Sequence, residues 1–504
     1  MSRILMSQSS VVSRNTLNTL LIVAIFVGYL LVSVNIMEIS EEKLKFIFLN
    51  IVLFVYLMWE IWRIARTVQW RVLIQPVVLA SLFHFLGTYL IPNLRYMYES
   101  TFPNLPYGLL FSRTDAFDYL NSAMWAILLA VFAMWRGYRS IIAVRFATSA
   151  RAFLINKGLI RSEFRVNFVP IIILVVISVC AVFLQIKLGV FGYSSDSKSL
   201  KSAVNIFAWF KLANDGGVLV LLILSMAIFT ERYKNKPGIW LFFLIILSLQ
   251  IIIGFLSGFK SQVIMPIVII GVSYYVVRGR IPYKWISIAI VMVMVSYQVI
   301  EPFRYMFYSS ANFDNRSLTS ITSALVDAVD RRRNNPNYST LERVIARQDL
   351  TTFTAQSIAF KEKYGVPDGS PDFLDNILLS PAHAFVPRFI WENKSIENTG
   401  YWYNVNVLGA SVDTRTSVAM GPVSYANFAG GYIAIFLVFW FIGFIQRVTF
   451  DTFVRAGIGG WMIYLGLLFP LVMIPSSVGG MLAGFFRSIP FIIIAQYWLL
   501  KSKK

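Results

Sequence analysis

The feature that most constrains this fold is a series of apolar runs, each about as long as the ~20 residues that a helix needs to cross a bilayer. Twelve such runs occur, at residues 17–36, 44–62, 72–91, 119–135, 166–189, 216–230, 238–257, 262–277, 285–300, 424–446, 456–474 and 480–500. Because 57% of the residues are hydrophobic and only 14% are charged, one soluble core cannot bury them all. The sequence predicts an all-α polytopic membrane protein with about twelve transmembrane helices.

The first run has the length of a full span and no small-residue cleavage site after it, so we interpret it as a retained helix and not as a signal peptide. The single cysteine, Cys180, lies inside another run and cannot form a disulfide within the chain.

The net charge of +20 comes from short basic clusters between the apolar runs. This distribution favours the positive-inside rule of membrane topology over nucleic-acid binding, so we expect no nucleic acid as a partner. With the N-terminus in the cytoplasm, the arginine-rich connections at 63–71 and 136–165 and the lysines at 501–504 all lie inside. The C-terminus is then cytoplasmic as well.

One long hydrophilic stretch interrupts the runs. Residues 302–418 contain no convincing span and carry basic and acidic residues in similar numbers. We predict that they form an extracytoplasmic, mainly helical loop domain, with spans 1–9 in residues 1–301 and spans 10–12 in residues 419–504. Residues 341–363 have the apolar spacing of an amphipathic helix.

The most distinctive segment lies within this stretch, between Pro381 and Lys394. It combines two prolines with His383, Arg388, Trp391, Glu392 and Lys394. Cations bind phosphate oxygens and an indole stacks on a sugar ring, so the segment suits an anionic, sugar-bearing ligand. An ordinary solvated loop is the alternative.

Other candidate binding residues are aromatic or cationic. Tyr401 and Trp402 could line a glycan groove or form part of an interfacial aromatic belt. Arg487 lies within the last span, where a cation is expected to face the protein interior or water. The remaining cations are Lys260, Arg304 and Arg343, the last two of which could equally form surface ion pairs.

The histidine count limits the chemistry. Only two histidines exist in the chain, so a multi-histidine metal site is not expected and neither a metal nor another cofactor is predicted. His383 is a candidate general base, in competition with Glu301, Glu392, Glu342 and Asp413.

Taken together, the many spans, the late outer loop and three local patterns resemble the oligosaccharide repeat-unit polymerases of bacterial surface polysaccharides, of the O-antigen polymerase type. The patterns are Leu188 to Ser195, Gly258-Phe259-Lys260-Ser261, and the series Pro387, Arg388, Trp391, Lys394 and Gly400. The resemblance extends from about Gly189 to Gly431. It departs at Lys260, where relatives often have an arginine, and in the absence of the histidine-centred signature of the related ligases.

The resemblance implies a membrane glycosyltransferase of the C type in the bacterial inner membrane. Such an enzyme transfers a growing glycan from undecaprenyl pyrophosphate to the next lipid-linked repeat unit, with inversion at the anomeric carbon and without a metal or a nucleotide sugar. Donor and acceptor lipids, membrane lipids, a chain-length regulator and a flippase are the implied partners. Lys260, Arg304, Arg343, Arg388, Lys394 and Arg487 are the pyrophosphate candidates.

Two alternatives remain open from the sequence. One is an O-antigen ligase, which would transfer the finished glycan to a lipid A core. The other is a flippase or transporter that would move lipid-linked sugars with the same aromatic and basic residues.

Overall fold

The structure is a computed structural model. It describes residues 40–98, 115–161, 164–192, 204–231, 233, 235–309, 323, 348–367, 370–386, 390–391, 394, 399–412, 417–475 and 477–501. These residues are mainly helical and form no β-strand, although an isolated bridge pairs Val166 with Leu500. The all-α prediction is confirmed for this part of the chain.

The first eight helices are α1 (Glu41–Val68), α2, α3 (Ala116–Tyr138), α4 (Ile141–Asn156), α5 (Phe168–Lys187), α6 (Val204–Phe229), α7 (Pro237–Ser257) and α8 (Lys260–Arg278). Helix α2 is continuous and consists of α-helical Pro76–Leu79, π-helical Ala80–Leu90 and α-helical Ile91–Tyr98. A 3₁₀ turn at Gln69–Ile74 precedes it.

The second group is α9 (Tyr283–Ser309), α10 (Leu350–Tyr364), α11 (Phe373–Leu378), α12 (Ser380–Phe385), α13 (Thr399–Asn406), α14 (Pro422–Phe453), α15 (Ile458–Val472) and α16 (Val478–Leu499). A 3₁₀ turn at Val454–Ala456 extends α14.

Nine helices in the described ranges are long and apolar enough to cross a membrane, and two shorter apolar helices occur at Tyr283–Ser296 and Ile458–Val472. These eleven correspond to eleven of the predicted runs. The first predicted run, 17–36, lies outside the described residues. The protein is therefore a polytopic helical membrane protein.

Polar contacts show how the spans are oriented relative to one another. At the start of α1 and α3, Asn121 donates a hydrogen bond to Glu42 over 2.7 Å. At the other end of the same two helices, Arg139 forms an ion pair with the buried Glu60. The two helices therefore run in the same direction, and their C-terminal ends define what we call the basic end of the bundle.

The closest packing joins α3 to α14. A side-chain carbon added to Gly137 would overlap the carbonyl of Trp440, and one added to Gly443 would overlap the carbonyl of Met134. Small residues allow helix backbones to approach closely in membranes, where packing replaces the hydrophobic effect as the main driving force. Gly137 and Gly443 therefore set the distance between the two helices.

Helix α10 belongs to the stretch predicted as an outer domain, but it packs against α2, α3 and α14. Its threonine and serine side chains are buried, and two of them bond within the helix: Thr354 to the carbonyl of Leu350 and Ser357 to that of Phe353, each over 2.8 Å. Such internal bonds satisfy hydroxyl groups without water. Helix α10 can therefore lie inside the bundle despite its polar composition.

Helix α14 is broken near its start. Gly430 and Gly431 are non-helical, and Gly431 has a φ of 66°, a left-handed conformation that favours glycine. The leg before the break is buried at residues 422–428 and contacts α10, since Ser424 and Thr354 bond over 3.3 Å through their hydroxyls. The break separates this short leg from the long remainder of α14.

Candidate functional site

Helix α12 carries the centre of the distinctive segment. It begins with Pro381 in its first turn, a position that needs no backbone donor, and it is only six residues long. A helix leaves its last carbonyl groups without partners in the helix, and these acceptors attract cations. Helix α12 packs against α16, the last span.

Two cations reach the same carbonyl oxygen at the end of α12. The Nζ of Lys394 donates to the carbonyl of His383 over 2.7 Å and to that of Val386 over 3.0 Å. The Nη2 of Arg487 donates to the carbonyl of His383 over 3.4 Å, and its Nε donates to that of Ala384 over 3.1 Å. Lys394 from the loop and Arg487 from α16 therefore converge at His383.

The aromatic members of the segment lie at the same place. The ring of His383 and the indole of Trp391 are 4.9 Å apart between centroids, at an interplanar angle of 53°. Both side chains are partly exposed. The structure thus brings together four predicted site residues, which we call the His383 cluster: His383, Trp391, Lys394 and Arg487.

One further residue, which the sequence analysis did not identify, belongs here. Asp215 of α6, a helix that packs against α16, interacts electrostatically with Arg487. A carboxylate within an apolar helix is unusual and is most often paired or functional. That position alone was a signal that could have identified Asp215.

The remaining described candidates lie elsewhere. Lys260 is the first residue of α8, after Gly258 ends α7 with a φ of 69°. Tyr401 donates its hydroxyl to the carbonyl of Val412 over 2.6 Å. Trp402 is 8% exposed and packs edge-on against Phe360, Phe373 and Phe428. Their roles in substrate binding stay predictions.

For five predicted site residues the structure does not describe the side chain. Glu301 and Arg304 lie in α9, but their side chains are outside the description. Arg343, Arg388 and Glu392 lie outside the described residues altogether.

A second polar centre surrounds the start of α10. Asp349 is 6% exposed, and its carboxylate accepts the backbone N–H of Thr352 over 3.1 Å, which caps the helix. The hydroxyl of Thr352 donates to the same carboxylate over 2.7 Å, and so does the hydroxyl of Tyr96 at the end of α2. Burial raises the pKa of the Asp349 carboxyl, while these hydrogen bonds act in the opposite direction.

The other end of α10 contacts the break in α14. Lys361 donates to the carbonyl of Asn427 over 2.5 Å. Asn427 lies in the last turn before the non-helical Gly430 and Gly431, and carbonyl groups at the end of a helical segment readily accept bonds from cations. Burial lowers the pKa of Lys361.

The described ranges offer little support for two other types of site. They contain no group of three or more histidine, cysteine, aspartate or glutamate side chains that could hold a metal ion. An apolar crevice too narrow to hold a water molecule lies between α14, α15 and α16, lined by residues such as Ile442, Leu471 and Phe485. It offers no polar group for chemistry, so the His383 cluster is the stronger candidate.

The fold and these contacts define a polytopic helical membrane protein with a polar cluster beside its last span. One family model, described as a domain of unknown function (DUF8712), matches residues 172–473. This match covers more than half of the chain, so the protein belongs to that family. Searches of curated proteins and of solved structures find no match.

Proposed function

We propose that the protein is a membrane glycosyltransferase that polymerises oligosaccharide repeat units linked to undecaprenyl pyrophosphate. The observation that carries the proposal is the convergence of Lys394 and Arg487 on the carbonyl of His383. A guanidinium and an ammonium group this close together attract an anion with several oxygens, and pyrophosphate is such a group.

The reaction needs two contributions from the protein, stabilisation of the leaving group and a base for the acceptor proton. A hydroxyl oxygen of the acceptor repeat unit attacks the anomeric carbon of the donor glycan, while the bond from this carbon to the pyrophosphate oxygen breaks. The electron pair goes to the pyrophosphate, whose charge Arg487 and Lys394 stabilise. The hydroxyl proton passes to a base, for which we propose His383, with Glu301 and Glu392 as alternatives.

The neighbouring aromatic ring fits the same reaction. Trp391 lies beside His383, and an indole face can pack against the C–H groups of a sugar ring. The indole would then hold the sugar next to the base, and both rings are partly exposed. Direct displacement in this arrangement inverts the anomeric carbon, and no metal or cofactor takes part.

We also propose the finer topology. The chain has twelve spans, including residues 17–36, and its basic end faces the cytoplasm of a bacterium in the inner membrane. Support comes from the arginines at that end of α1 and α3, for example Arg63, Arg66 and Arg136. The His383 cluster then faces the extracytoplasmic side, where lipid carriers present their completed repeat units.

Reconstitution tests this function. The purified protein is placed in vesicles with synthetic lipid-linked repeat units, without nucleotide sugar, and the products are separated by size. The proposal expects a ladder of longer glycans. Transfer of substrate between leaflets without any ladder would support a flippase, and transfer of a preformed polymer to lipid A core without chain growth would support a ligase.

A further inference from the structure

Helix α4 does not cross the membrane, yet it exposes large apolar side chains. Its 16 residues include Arg145 and Arg151, and it is not among the helices that are apolar enough to serve as spans. Ile142, Phe146 and Phe153 are 64%, 57% and 57% exposed. Spacings of four and seven residues place these three side chains on one face of the helix, which we call the apolar ridge.

An adjacent side of α4 is attached to the bundle by small residues. Ala143 and Ala147 are buried, and the hydroxyl of Thr452 donates to the carbonyl of Ala147 over 3.3 Å. Helix α4 packs along α14 and begins just after α3 ends at Tyr138. The helix therefore lies at the basic end of the spans, at the level where a bilayer surface meets them.

The charges on α4 have one sign. Arg145 and Arg151 lie on the helix, which has no acidic residue, and Lys157 follows it, while the preceding Arg139 is paired with Glu60. A helix that joins an apolar ridge to basic side chains inserts the ridge among acyl chains and attracts anionic headgroups. Basic residues next to a membrane bind anionic lipids in the same way.

We propose that α4 is an in-plane lipid-binding helix that binds anionic phospholipid at the basic end of the bundle. Two observations favour lipid over a protein partner. The ridge continues the surface of the spans, since the rings of Phe146 and Phe444 of α14 are 6.1 Å apart between centroids. The charges on the helix are also basic. This inference does not depend on the catalytic proposal.

Site-specific fluorescence tests the placement of the ridge. In full-length protein carrying Cys180→Ala, an environment-sensitive dye is attached at Phe153→Cys on the ridge or at Thr148→Cys, which is exposed on a different face of the helix. In vesicles, emission from position 153 should be blue-shifted and should be reduced by a quencher on the lipid acyl chain, whereas emission from position 148 should be largely unaffected. Equal quenching at both positions, or none at 153, would overturn the proposal.

The charge requirement has its own test. Thermal unfolding is compared in vesicles of phosphatidylcholine with and without phosphatidylglycerol. We expect the anionic lipid to raise the Tm of the wild type and of the control Lys284→Gln, an exposed cation at the start of α9. The double variant Arg145→Gln with Arg151→Gln should lose this increase. An unchanged increase, or crosslinking between copies through Cys at 153, would contradict lipid binding and favour a second copy of the chain.

Discussion

The Nε of Arg487 donates a hydrogen bond to the carbonyl oxygen of Ala384 over 3.1 Å. Arg487 is the tenth residue of the 22 in α16, so this bond reaches well below the start of the last span. A segment that the sequence places in a hydrophilic loop is thus fixed to the side of a membrane helix. Irregular backbone is tolerated at such depth where it is buried in protein or lines a polar cavity.

The first prediction concerns the pH dependence of stability. Burial raises the pKa of Asp349 above its ordinary value of 3.8. The folded state then holds this proton more tightly than the unfolded chain does. The contribution of Asp349 to stability is complete below about pH 3.8 and decreases as the pH rises through the folded-state pKa.

Asp349→Asn resembles the protonated acid and still accepts the capping hydrogen bond, so it should remove this dependence. We expect the free energy of unfolding of the variant, relative to the wild type, to increase as the pH rises above about 4. Unfolding in detergent at several pH values measures this difference. A difference that does not change with pH would contradict a raised pKa of Asp349 in the folded protein.

The second prediction tests the break in α14. Gly431→Ala should lower the free energy of unfolding by about 1–2 kcal/mol, because a side chain disfavours the left-handed conformation. The matched control is Gly238→Ala, a helical position in α7 with open space around it. The control should be neutral or stabilising. Equal effects of the two substitutions would show that the conformation at Gly431 is not required.

The third prediction concerns the contact between α3 and α14. Gly137→Ala and Gly443→Ala each insert a methyl group against the backbone of the facing helix. Overpacking of this kind typically costs about 1–3 kcal/mol. We expect both variants to unfold at a lower denaturant concentration than Gly238→Ala. Wild-type stability in either variant would mean that the helices are not as close as the structure has them.

The sequence predicted the spans well because apolar length is a strong local signal. The third run was expected to end at residue 91, but the candidate span continues to Met97. Polar residues mark its end in the sequence, yet Asn93 donates to Asn50 over 2.7 Å and Tyr96 donates to Asp349. Partners on other helices satisfy these groups, and a single sequence does not reveal such partners.

The candidate site was predictable in part, because most of its residues are marked by local sequence signals. His383, Trp391 and Lys394 are close in sequence, and Arg487 was conspicuous as a cation in a span. That Arg487 and Lys394 share a carbonyl depends on the packing of α12 against α16, which no local pattern encodes. The burial of α10 was missed because its threonines and serines resemble a solvated surface.

The fourth prediction tests membrane orientation. In a Cys180→Ala background, Val412→Cys and Thr148→Cys place thiols at exposed positions at the two ends of the bundle. A membrane-impermeant maleimide should label position 412 in intact cells and position 148 only after permeabilisation. The reverse pattern would place the His383 cluster on the cytoplasmic side, away from the completed repeat units.

Binding of undecaprenyl pyrophosphate to the purified protein in lipid nanodiscs tests the central claim most directly. We predict that Arg487→Gln weakens binding about tenfold or more, since a charge-assisted hydrogen bond contributes about 1.5–3 kcal/mol. The affinity of Arg487→Lys should lie between those of Arg487→Gln and the wild type. Arg136→Gln removes an exposed cation at the basic end and should bind as tightly as the wild type does. Equal affinity of Arg487→Gln and the wild type, with both proteins folded, would contradict a pyrophosphate site at the His383 cluster.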